Sequence, residues 1–183
     1  MKNEVDGRRE IASRNTAWAN IIARKLTHWG VTPNQISMMS VFFAMVGCLL
    51  LIGTVIYPGF NKYVAYILFI VCMQSRLLCN LFDGMVAIEG GKKSANGDLY
   101  NDMPDRFADA LFIIPVGYVA GGFGIELGWL AALLAVMTAY FRWIGAYKTH
   151  QHFFNGPMAK QHRMALLTLT FVVATCIIYS GYD

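Results

Sequence analysis

Carboxylates and carboxamides recur at helical intervals in an otherwise apolar stretch of this chain. Asn80, Asp83, Gly84 and Ala87 come first; after a glycine pair come Gly97, Asp98, Asn101, Asp102, Asp105 and Asp109. Spacings of three and four place Asn80, Asp83, Gly84 and Ala87 along one helix face. At about 100° per residue, Asp98, Asn101, Asp102, Asp105 and Asp109 fall within roughly a 100° arc of a second helix. Carboxylates so crowded repel one another unless something neutralises them, and divalent cations with oxygen ligands do so. Polar groups at membrane depth are costly and are usually kept for function.

The elements that must carry these residues are apolar. The chain is 56% hydrophobic and 14% charged. Five apolar segments stand out, at 36–57, 63–82, 107–120, 125–147 and 164–182. Most reach the roughly 20 residues a helix needs to cross a bilayer, and the third does so when extended back through Asp98. In lipid the backbone must close its own hydrogen bonds, so helices are the expected form. The predicted fold class is all-α: a polytopic membrane helical bundle of five visible spans. It forms a single domain over 1–183, with the bundle at 33–183. Antiparallel second and third spans would bring Asp83, Asn101 and Asp105 to similar depth.

Basic residues orient the bundle. Lys2, Arg8, Arg9, Arg14, Arg24 and Lys25 precede the first span. Lys92, Lys93 and Arg106 follow the second, and Lys148, Lys160 and Arg163 follow the fourth; the first loop has only Lys62 and the third has none. By the positive-inside rule the N-terminus and the second and fourth loops face the cytoplasm. The expected location is a bacterial inner membrane. The net charge of +4 fits a basic face beside anionic lipid, and nothing points to nucleic acid. Cys48, Cys72, Cys79 and Cys176 have no metal-site or disulfide spacing and read as packing residues.

Residues 8–29 predict an amphipathic interfacial helix, with Ile11, Ile22, Leu26 and Trp29 on its apolar face. Thr32, Pro33 and Gln35 predict a capped helix start. Glycines at 90–91 and 121–122, and Asn155-Gly156-Pro157, punctuate the loops.

The stretch from Asn80 to Asp105 resembles the signature of the CDP-alcohol phosphotransferase (CDP-alcohol phosphatidyltransferase) family, D-x2-D-G-x2-A-R, then G-x3-D-x3-D. Asn80, Asp83, Gly84, Ala87, Gly97, Asn101 and Asp105 fall on its positions in register. The resemblance implies a membrane enzyme of phospholipid synthesis, usually of six spans and often a homodimer. It would move a substituted phosphate, such as a phosphatidyl group, from CDP-diacylglycerol or another CDP-alcohol to a small hydroxyl acceptor and release CMP. It implies one or two Mg2+ or Mn2+ ions at Asn80, Asp83, Asn101 and Asp105. Asp105 would be the catalytic base, and Asn80, Asp83, Gly84, Ala87 and Gly97 would bind nucleotide. Arg142, Lys160 and Arg163 resemble the basic positions that hold a phosphorylated polyol acceptor in some members; Lys160 and Arg163 read equally well as positive-inside anchors.

The chain departs from the pattern at Asn80, Asn101 and Ile88, which stand where the family has two aspartates and an arginine. The metal site is therefore expected to be reduced, with Asp102 the substitute ligand beside Asn101. The alternative reading is a catalytically silent member that binds CDP-lipid or a protein partner. Arg76 shares a face with Asn80 and Asp83, and structural pairing and phosphate binding are both open to it.

Overall fold

The computed structural model describes residues 16–89, 97–149 and 160–181. Among them, six helices follow in order: α1 (Ala17–His28), α2 (Pro33–Ile56), α3 (Lys62–Glu89), α4 (Gly97–Ala120), α5 (Gly124–Thr149) and α6 (Lys160–Tyr179). No strand occurs among the described residues.

Local chemistry sets the helix starts and turns. At the head of α2 the Thr32 hydroxyl accepts from the Gln35 N–H at 3.3 Å, and the Gln35 side chain accepts from the Thr32 N–H at 2.9 Å. Pro33 follows in the first helical position, which needs no N–H. Asn61 Oδ1 accepts from the Val64 N–H at 3.1 Å and caps α3. The α4–α5 turn uses Gly121 and Gly122 at φ 69° and 51°, a region that side chains disfavour.

Four helices are long and apolar enough to cross a membrane: Pro33–Ile56, Lys62–Glu89, Gly124–Gly145 and Lys160–Tyr179. The sequence predicts a fifth span in α4. That helix has the length, at 24 residues, but Asp105, Arg106 and Asp109 make it too polar to count with the others. Its charges turn inward instead. Asp109 is 1% exposed and Arg76 on α3 is fully buried, while Leu49, Leu133, Leu134 and Leu169 lie exposed on the outside. Charges inside and leucines outside invert the order of a water-soluble protein. They fit a bundle whose solvent is lipid.

α2 is the central helix and packs against both α3 and α4; α6 packs on α3, α5 on α4, and α1 on α3. The core lies where α2, α3, α4 and α6 meet. Phe69 stands 5.5 Å from the Phe112 ring and 4.5 Å from Phe171, with Leu51, Met73 and Met164 buried around them. Helices α3 and α4 touch through long side chains, Phe69 with Phe112 and Arg76 with Asp109, while α2 packs on each of them.

The N-terminal helix departs from its expected form. Its observed part starts at Ala17, and Ile11 lies outside the described residues. The face that α1 buries is built on Ala19 and Ala23, packed against Leu81, Met85 and Val86 of α3, with Leu26 beside them. Ile22 and Trp29 are exposed. Alanines let two helices approach closely, so the small residues take the protein contact and the bulky ones are left for the bilayer surface.

Candidate active site

The acidic residues converge at the end of the bundle where α3 finishes and α4 begins. Asp83, 7% exposed, sits seven residues beyond Arg76 on α3. Its Oδ2 accepts from Ser37 Oγ at 3.1 Å, and one turn along α2 Ser40 Oγ reaches Asn80 Oδ1 at 3.5 Å. Two serines of α2 thus hold the two polar side chains of α3. Asp105 of α4 is tied to the helix that carries Asp83 by Arg76.

Asp105 and Asp109 lie one turn apart on α4, in a line of alternating charge. Lys160 of α6 pairs with Asp105 Oδ2. Arg76 Nη2 donates to Asp105 Oδ1 at 3.2 Å and to Asp109 Oδ1 at 2.7 Å. Arg163 Nη2 donates to Asp109 Oδ2 at 2.7 Å. The order is therefore Lys160, Asp105, Arg76, Asp109, Arg163. Both oxygens of each carboxylate are engaged, which is how buried charge is tolerated. Arg76 Nε and Nη1 and Asn80 Nδ2 are buried and have no hydrogen-bond partner among the described residues. These nitrogens carry N–H bonds that no described protein atom accepts by geometry.

The remaining candidates fall around this line. Gly84 and Ala87 are buried on α3, and Gly97 opens α4. Asn101 and Asp102 belong to the first turns of α4, but their side chains, like that of Asp98, lie outside the described residues. So do Lys92, Lys93, His150 and His152. Arg142 is half-buried on α5 and is not part of the alternating line, whereas Lys160 and Arg163 are. Among the described residues no three His, Cys, Asp or Glu side chains cluster closely enough to hold a metal by themselves.

Ser37 and Ser40 are absent from the sequence-based site. Their signal is present all the same: two hydroxyls three residues apart on one face of an apolar span. Asp109 is seen in the sequence only as a neighbour of the motif, yet it takes the shorter of the two Arg76 contacts.

The backbone thus gathers acids from two helices beside two arginines and a lysine. No curated protein matches the chain. The model of the CDP-alcohol phosphatidyltransferase family matches residues 30–182, most of the chain and every helix from α2 to α6, and the chain belongs to that family.

Proposed function

We propose that the protein transfers a phosphatidyl group from a CDP-alcohol, CDP-diacylglycerol being the model donor, to a small hydroxyl acceptor and releases CMP. The joining of α3 to α4 within the signature, where Arg76 from the helix of Asn80 and Asp83 holds Asp105, is the observation that carries this reading. Lys160 and Arg163, already at the site, support a phosphorylated polyol as acceptor. The site faces the cytoplasm, where the nucleotide is.

The family implies divalent metal, and the donor set decides how much of it these residues suit. Asn80 offers a neutral oxygen, Asp83 a carboxylate held by one serine, and Asp105 a carboxylate held by two cations. A carboxylate has about four lone-pair positions, so Asp105 retains acceptor capacity. Asn80, Asp83 and Asp105 fit one Mg2+ or Mn2+. When bound, such an ion neutralises the diphosphate and polarises a phosphoryl oxygen.

The chain's own residues do the rest. Gly84 and Ala87 keep their stripe of α3 free of bulky side chains, so a nucleotide can approach the helix closely. Ser37 fixes the Asp83 rotamer. Asp105 takes the proton of the acceptor hydroxyl as that oxygen bonds to the lipid-linked phosphorus and the bond from phosphorus to the CMP oxygen breaks. Arg76 holds Asp105 in line for this. Lys160 must loosen its grip on Asp105 Oδ2 as the proton arrives, and an acceptor phosphate is the anion that would draw it away.

CMP release from CDP-diacylglycerol by reconstituted protein, with Mg2+ or Mn2+ and a panel of polyols and phosphorylated polyols, tests the reading. Asp105→Asn should lower the rate at least about a hundredfold. CDP binding with no CMP release from any acceptor would instead identify the silent member that Asn80 and Asn101 allow.

A further inference from the structure

The two-ion arrangement needs four acids, and this chain has acids at two of the four positions. The structure shows what stands nearby. Among the described side chains at the site, the three acids Asp83, Asp105 and Asp109 equal in number the three cations Arg76, Lys160 and Arg163, which pair with Asp105 and Asp109. The set is already neutral. One divalent ion balances the two charges of a diphosphate diester. A second would add two positive charges that no acid among the described side chains is left to meet, a heavy electrostatic cost in a buried place.

Arg76 sits where a second cation would be useful. It is fully buried, it bridges Asp105 and Asp109 through Nη2, and its Nε and Nη1 are left without a protein partner. A bridging metal does two things: it gathers carboxylates on one side and binds phosphoryl oxygens on the other. A guanidinium with one nitrogen on two carboxylates and two nitrogens unspent can do both, and its charge is permanent.

We propose that Arg76 takes the place of the second metal ion, so that the site works with one divalent cation and an arginine that donates to the diphosphate. This rests on the transferase reading of the same site. It also gives a reason for the asparagines: an arginine in place of a divalent ion leaves less positive charge for the motif to balance, and Asn80 and Asn101 supply less negative charge.

The test counts ions. Purified protein in nanodiscs is titrated with Mn2+ in the presence of CDP, and bound Mn2+ is read by electron paramagnetic resonance. The native chain should bind one Mn2+ per chain. The triple variant Asn80→Asp, Asn101→Asp, Arg76→Met should bind two. Arg76→Met alone should weaken CDP binding and lower CMP release about a hundredfold or more, with Arg76→Lys recovering part of both. Two Mn2+ ions in the native chain, or none, overturns the proposal, and so does a folded triple variant that still binds one. If the triple variant does not fold, the native count decides. CMP release measured on the same samples separates the two readings: two ions with turnover sinks the arginine substitution alone, and one ion without turnover for any acceptor sinks the transferase reading alone.

Discussion

Ser37 shows how a single hydroxyl can matter in an apolar span. It donates to Asp83 at 3.1 Å and also lies 3.2 Å from the Pro33 carbonyl, so the acid is tethered to the first turn of α2. Such outer partners usually affect metal affinity tenfold to a hundredfold. Ser37→Ala should therefore weaken Mn2+ binding by roughly that factor, with little change in the thermal unfolding midpoint. A midpoint that falls while Mn2+ affinity holds would make Ser37 a packing residue. The signature itself is legible in the sequence, because its spacing survives even where asparagine replaces aspartate. The partners are less so. A buried arginine on a helix stripe will find an acid, but Asp98, Asp102, Asp105 and Asp109 share one arc. The sequence does not choose among them, and the structure gives Arg76 to Asp105 and Asp109.

At the level of the helices, the α4–α5 hairpin depends on having nothing at three places. A Cβ on Gly117 would collide with the Gly124 carbonyl oxygen and stand 3.0 Å from Gly128 Cα. All of these are backbone atoms, which cannot swing aside. Gly117→Val should cost about 1–3 kcal/mol, measured as a lower unfolding midpoint in detergent, and should loosen α5 from α4. An unchanged midpoint would mean that the two helices are not held by this contact. The α2 start was readable from Thr32, Pro33 and Gln35 because capping is local chemistry. The burying face of α1 was not readable, because hydrophobic periodicity points to large residues, whereas a close helix contact selects Ala19 and Ala23. The length of α4 is legible too. Its failure to match the other spans in apolarity follows from the same aspartates that make it functional.

For the whole molecule, the outside-in distribution of polarity and the basic loops make one testable statement about orientation. Trp29, 72% exposed, and Phe123, 73% exposed, sit at opposite ends of the bundle, one before α2 and the other between α4 and α5. With Cys48, Cys72, Cys79 and Cys176 replaced, a cysteine at Phe123 should react with a membrane-impermeant maleimide on intact spheroplasts, and a cysteine at Trp29 should react only after the membrane is opened. The reverse pattern would turn the site to the outer face and away from its nucleotide.

The line from Lys160 to Arg163 has a further consequence for how such a protein can change over time. Each charge in it answers to the next, and three helices contribute members. Losing any one leaves a neighbour's charge inside the bundle without its partner. Residues 76, 105, 109, 160 and 163 should therefore drift together or stay put, and a lineage that alters one should carry the mark of that change on a different helix.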